Sequence, residues 1–229
     1  MAKATKKIIS KGMKKKWFKV YAPDYLNNTF IGECFVDKQE KLLKRTVTVN
    51  LNKITGNPRN MQVNVKLVCN ALKGNDGTST NVHSYYMMPA AVKRLVRARK
   101  DRIDDSFLCA TKDNVLVRIK PLIITQNKVP EKKKTEIRKA TRAVIAKYFS
   151  KIDYKEWVMS VINKKAQSQV YEIVNRIVPI KVVEIREFTI SKKKSNSKIE
   201  KGNNFDLSPY QKKKEKKNKT EQKDSEKEE

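Results

Sequence analysis

One histidine and three cysteines in 229 residues leave little material for catalysis or metal binding. A Ser/His or Cys/His site would rest on His83 alone, and a lone histidine inside an alternating stretch reads as structural. Cys34, Cys69 and Cys109 are far apart and form no CxxC or Cys/His cluster. They predict reduced core thiols rather than a zinc site or a disulfide frame. No phosphate-cradling GxxxxGK loop, GxGxxG turn, HExxH or GxSxG is present. The adjacent acids Asp104 and Asp105 would point to opposite faces of a strand, which argues against a carboxylate pair. The sequence therefore predicts no enzyme and no cofactor. No apolar run approaches the ~20 residues of a membrane span, and the N-terminus has no apolar core of a secretory signal. The expectation is a soluble intracellular protein with no membrane partner. RNP-type aromatic motifs, KH-type GxxG loops and zinc-knuckle spacings are missing too.

Acids are also scarce. Against 24 Asp and Glu stand 53 Lys and Arg, a formal net charge of +29. Residues 1–20 hold eight lysines and no acid, and residues 191–229 hold thirteen basic and eight acidic side chains. The remainder still carries 32 basic against 16 acidic groups, so the excess is not confined to the ends. Net charge speaks to partners and association rather than to fold. A domain that repels itself this strongly predicts a bound polyanion, nucleic acid first.

The length allows one or two domains. Residues 1–16 are a basic arm, poor in apolar residues, which either solubilises and targets the protein or lies along phosphates. Residues 17–190 read as a single α+β domain and 191–229 as a disordered charged tail. Trp17, Phe18, Val20 and Tyr21 mark a first strand. Trp17 could stack on a base, but is read as a strand residue packed in the core. Period-two alternation predicts further strands at 30–36, 45–51, 61–69 and 82–88, then a hairpin of 103–110 with 115–125 about Lys112–Asn114. A helix over 89–99 opens on Pro89, where the first helical turn tolerates proline, and would face Lys93, Arg94, Arg97 and Lys100 outward. Helices follow at 131–149, 153–165 (Asp153 the candidate N-cap) and 166–177. Residues 180–190 return to an alternating strand. The predicted class is α+β: a barrel-like, mostly antiparallel sheet with one inserted helix and a C-terminal group of helices.

The helix 131–149 divides its labour. Ile137, Ala140, Val144, Ile145, Tyr148 and Phe149 share one stripe, while Lys134, Arg138 and Arg142 step by four along another, flanked by Lys132, Lys133 and Lys139. Like charges at i,i+4 cost a few tenths of a kcal/mol per pair, and only Glu131 and Glu136 offer relief. Such a row is either a solvated face or a phosphate-binding one; the overall charge favours the second.

Five stretches carry a resemblance: KKKWFKVYAP at 14–23, KRTVTVNLNKI at 44–54, TKDNVLVRIKPLIIT at 111–125, KTEIRKATRAVIAKYF at 134–149 and VYEIVNRIVPIKVVEIREFTI at 170–190. Their order resembles the small-subunit ribosomal protein family of archaea and eukaryotes known as S-three-a, or eS-one, over about residues 10–194. The family's second stretch runs Gly-Arg-hydrophobic-x-Glu-x-Ser-Leu-x-Asp-Leu. Arg45 and Leu51 fit it, whereas Lys44, Thr48, Asn50 and Lys53 replace the Gly, Glu, Ser and Asp. The resemblance implies a structural role in the small subunit, on its platform near the 3′ end of the rRNA and the mRNA exit. Small-subunit rRNA and neighbouring ribosomal proteins would be partners, and an initiation factor near the exit another. It implies a cytoplasmic location in ribosomes, nucleolar during assembly if the source is eukaryotic. A chromatin or general nucleic-acid-binding protein accounts for the charge alone. The residues singled out as RNA contacts are Lys14, Lys15, Lys16, Lys44, Arg45, Arg94, Arg97, Lys132, Lys133, Lys134, Arg138, Lys139, Arg142, Lys192, Lys193 and Lys194.

Overall fold

Strand β5 (Gly77–Met87) is where the sheet divides. In the computed structural model, which describes residues 14–74 and 77–191, one side of β5 is taken along its length by β4 (Val63–Lys73). On its other side Gly77–Ser79 run parallel to β1 (Lys16–Tyr21), and Ser84–Tyr86 pair with β9 (Ile180–Ile190). From β1 the sheet continues to β2 (Phe30–Val36), from β4 to β3 (Thr46–Asn50), and from β9 to β8 (Leu116–Thr125). Short strands β6 (Arg102–Asp104) and β7 (Phe107–Ala110) pair with β8. Every pairing but β1–β5 is antiparallel. The architecture is α+β with a mostly antiparallel sheet, the class the alternation predicts. The sheet stays open. Edge strands β2 and β3 face each other across a cleft of about 300 Å³ lined by Ile31, Cys34, Val47 and Val49, so this half curls toward a barrel without a closing ladder among the described residues.

One proline shapes the far edge. Asp104 faces Leu122 and Phe107 faces Ile119, a single register on β8. Carried across the gap, that register sets Asp105 opposite Pro121, which has no N–H for the ladder. The β8–β9 pairing slips at the same place, between Lys120 and Pro121. The strand expected over 103–110 is therefore two pieces, with the Asp105 carboxylate pointing out of the interruption.

Two cores cover the two faces of β8. Leu122 and Ile124 pack with Met87, Ala91 and Val92 under α2 (Pro89–Leu95). Ile119 and Ile123 belong to the larger cluster, which joins β4, β5 and β9 to α3 (Glu131–Phe149), α4 (Tyr154–Ile162) and α5 (Lys165–Val174). A strand buried on both faces reads as a continuous apolar run, as PLII does here. At the centre of the larger cluster Trp157 lies 4.1 Å from Phe149 and 4.7 Å from Phe188 between ring centroids, and Phe188 stacks on Tyr85 at 5.2 Å. These contacts tie the helices to strands from both halves of the chain.

Several local details depart from the periodicity. Helix α2 stops at Leu95, four residues early, because Val96 is already extended. Residues 51–55 form a further helix, α1 (Leu51–Thr55), where the alternation predicts strand up to Leu51. Asn50 caps it by accepting from the Asn52 N–H at 3.0 Å, and Gly56 ends it at φ 66°. Asn50 stands where the resembled family has Ser, another good cap. Lys44 stands where that family has Gly, and its φ is 67°, a left-handed conformation that favours glycine. Asp153 occupies the cap position of α4 but makes no side-chain cap bond; the Tyr154 N–H instead donates to Asp113 Oδ2 at 3.1 Å. Among the described residues no helix is long and apolar enough to cross a membrane.

Candidate nucleic-acid interface

The stripe of α3 that includes Ile137, Ala140, Val144, Ile145 and Phe149 is buried as expected, which fixes where its cations point. They fall into two groups. Arg142 forks onto Asp105 with Nε 2.6 Å from Oδ2 and Nη2 2.7 Å from Oδ1, and its guanidinium stands 6.0 Å from the Phe107 ring. Lys134 bridges Glu131 at 2.8 Å and Asp101 at 3.3 Å, and Lys133 meets Glu136 at 2.9 Å. Hydrogen bonding, to Glu131 first, holds the Lys134 ammonium above its usual pKa. These pairs explain how the helix tolerates a row of like charges. Lys132, Arg138 and Lys139 make no ion pair among the described residues. Lys132 and Lys139 are exposed two turns apart on one side, about 10 Å along the axis, while half-buried Arg138 lies on the flank shared with Lys134 and Arg142.

Asp101 organises the ground around the start of α3. Its Oδ2 accepts from the Val129 N–H at 2.7 Å, its own N–H donates to Thr125 Oγ1 at 3.0 Å, and Lys134 pairs with it. The Val129 bond first, and the Lys134 contact, hold its carboxyl below the usual range. Next to it Lys181, at the start of β9, is pushed below the ordinary lysine value, first by the Lys100 charge and further by Arg97. None of the three makes an ion pair among the described residues, and such a group of cations predisposes a surface to bind an anion. Sequence reasoning includes Arg97 in the candidate set but omits Lys100 and Lys181. Lys181 lies far along the chain from the other two, and only the sheet brings them together.

A second basic patch surrounds Asp37. Lys41 hydrogen-bonds its Oδ2 at 3.0 Å, and that bond first, with the charges of Lys15 and Arg45, lowers the carboxyl pKa. Lys14, Lys15, Lys16, Lys44 and Arg45 are all exposed, and Lys16 already belongs to β1. Arg94 is exposed on α2. Lys192, Lys193 and Lys194, the arm before Lys14 and the tail beyond Ser191 lie outside the described residues.

Trp17 contradicts the expectation that it packs in the core: it is 63 % exposed. Phe18 and Val20 go inward while Trp17, Lys19 and Tyr21 face outward. The alternation with Lys19 was the available signal, since a residue two places from an exposed lysine shares its face.

The groups that sequence reasoning weighed for catalysis have structural surroundings. His83 is half-buried on β5, and burial first, then the Lys66 charge, push its imidazole below the ordinary value. Cys69 and Cys109 are buried and Cys34 half-buried, none in a disulfide. Burial drives the Cys69 thiol up. No cluster of three or more His, Cys, Asp or Glu able to hold a metal occurs among the described residues.

Residues 3–194 match the profile of the Ribosomal S3Ae family. The chain belongs to that family. It is a ribosomal protein and not an enzyme. Among its relatives is the small ribosomal subunit protein eS1 of Nanoarchaeum equitans, 31 % identical over 176 residues, which span 76 % of this chain and 88 % of the relative. The eS1 proteins of Thermoplasma acidophilum and Methanothrix thermoacetophila are 30 % and 28 % identical, over 81 % and 83 % of this chain and 86 % and 90 % of their own lengths. The resemblance carried by the five sequence stretches is thus met by whole-length relatives in archaea.

Proposed function

We propose that this chain is a structural constituent of the small ribosomal subunit that holds rRNA through cations which no carboxylate occupies. The observation that carries the RNA contact is that Lys132, Arg138 and Lys139 of α3 make no ion pair among the described residues, with Arg97, Lys100 and Lys181 a further group of cations close to one another. Lys14, Lys15, Lys16, Lys44 and Arg45, exposed at the start of β1 and before β3, form a second footing. Cations at helical spacing neutralise phosphates without reading bases. Lys134 and Arg142 are committed to carboxylates and serve mainly to fix α3 against the sheet. The single α+β domain over 17–190 and the two basic ends, including Lys192, Lys193 and Lys194, complete this reading. The resemblance implies a place on the subunit platform near the mRNA exit, which would make neighbouring ribosomal proteins and an initiation factor the protein partners. The location follows: cytoplasmic ribosomes, with nucleolar passage in a cell that has a nucleolus. The test is sedimentation of the native protein through a sucrose gradient. Co-migration with free small subunits, persisting in moderate salt, is expected; co-migration with chromatin alone would replace this reading with general nucleic-acid binding.

A further inference from the structure

The outer face of β1 and β2 carries aromatic rings that no core requires. Trp17, Phe30 and Phe35 are 63 %, 53 % and 49 % exposed. The β1–β2 register sets Trp17 opposite Phe35, Lys19 opposite Glu33 and Tyr21 opposite Phe30. Trp17 and Phe35 lie 4.9 Å apart between centroids at 39°, and Tyr21 meets Phe30 edge-on at 6.1 Å. The two aromatic pairs are four residues apart along β1, about 13 Å at strand rise. Around them stand cations. Lys15 Nζ lies 5.8 Å over Phe35 and Lys73 Nζ 5.5 Å over Tyr21. Lys14 is exposed on the approach to β1 and Lys19 on its outer face, Lys16 is exposed on the other side of the strand, and among the described residues Glu33 is the one acid between the two aromatic pairs. The Asp37 patch adjoins this face through Lys15.

We propose that this face is a stacking platform for unpaired bases of single-stranded RNA, with the rim lysines on the flanking phosphates. Every base has a π-face, so aromatic rings set on a sheet among cations suit a splayed-out strand. The surrounding charge selects this occupant over an apolar protein surface, because among the described residues a protein partner would have to desolvate Lys14, Lys15, Lys19 and Lys73 with only Glu33 and the adjoining Asp37 to offset them. The proposal rests on the RNA-binding reading above but differs from it in kind: α3 neutralises phosphates, whereas this face takes bases.

The chain supplies its own reporter. It has two tryptophans; Trp157 is fully buried and Trp17 is the exposed one. Titration of the full chain with a uridine 12-mer should quench the Trp17 emission and leave the Trp157 emission in place. An abasic 12-mer with the same phosphates should bind more weakly and quench little. Trp17→Ala should weaken the 12-mer by about 5- to 150-fold, the range for a lost stacked base, and bring it close to the abasic strand with an unchanged salt slope. Trp17→Phe should retain most of the affinity. Lys15→Gln should instead lower the salt slope while keeping the preference for bases. Equal binding of the abasic and base-bearing strands, with Trp17→Ala unaffected, would overturn the platform; salt-dependent binding of a blunt RNA duplex in that same series would leave the phosphate-binding reading standing. Failure of every strand and duplex to bind would remove both. Protection of Trp17 in assembled subunits by a protein crosslink, with no quenching by RNA, would make this face a protein contact and also overturn it.

Discussion

Arg142 and Asp105 form a two-pronged pair, at 2.6 and 2.7 Å, between the middle of α3 and the break in the β6–β7 strand. Asp105 is only 9 % exposed, so the pair sits where loss of one member leaves a poorly solvated charge. The interruption that frees Asp105 follows from Pro121 across the ladder. A helix that looks uniformly cationic in sequence is therefore bolted to the sheet by one of its cations.

Arg142→Ala should consequently cost stability, about 1–3 kcal/mol, through the orphaned carboxylate and the lost contact with Phe107. Urea melts compare it with Lys139→Ala, an exposed change on the same helix that should stay within about 0.5 kcal/mol. Equal melts for the two variants would show that the Asp105 contact does not anchor α3.

Phe188→Ala removes the ring shared by Tyr85 and Trp157 and should cost roughly 3–5 kcal/mol. Because that cluster joins strands and helices from both halves of the chain, loss of far-UV and near-UV signals should remain coincident. Limited trypsin digestion of the unaltered protein should trim the ends and leave one fragment of about residues 20–190. Two stable fragments divided near Pro130 would contradict the single-domain reading.

Much of this was legible in sequence because periodicity is local. Helix α3 runs from Glu131 to Phe149, the span its apolar stripe predicts, and β2 and β9 match their alternating runs. What failed was short or non-local. The five-residue α1 hides behind the Val47, Val49, Leu51 alternation, its start marked only by Asn50 and its end by Gly56. The break at Asp105 depends on a proline some sixteen residues ahead, visible once the register is known. Likewise the row Lys134, Arg138, Arg142 is a true helical row. Which members remain open depends on Asp101 and Asp105, whose approach to α3 no spacing rule reveals.

Lys44→Gly offers a test of local strain. The left-handed φ of 67° penalises a side chain, so glycine should stabilise the fold by about 0.5–1 kcal/mol after its larger unfolded entropy is counted. Denaturant midpoints decide it. A loss of stability would mean that the Lys44 side chain makes a contribution larger than the strain.

The His83 environment predicts a pH signature. Its folded pKa is depressed, so the unfolded chain binds the proton first as pH falls. Its contribution is full above the unfolded value of about 6.5 and is lost as pH falls through the lower folded value. His83→Gln should flatten stability against pH in that window, relative to the parent protein at fixed ionic strength. Parallel curves would mean that His83 titrates alike in both states.

If the cations without carboxylate partners meet the RNA while the paired ones hold the fold, salt dependence separates the two groups. The most direct measurement is the slope of log K against log salt for binding to a small-subunit rRNA fragment, taken for the parent, for Arg138→Ala with Lys139→Ala, and for Arg142→Ala. The double variant should flatten the slope by about one to two units, since each phosphate contact contributes somewhat under one. Arg142→Ala, measured where it remains folded, should leave the slope nearly unchanged. An unchanged slope in the double variant together with a flattened one in Arg142→Ala would contradict that division.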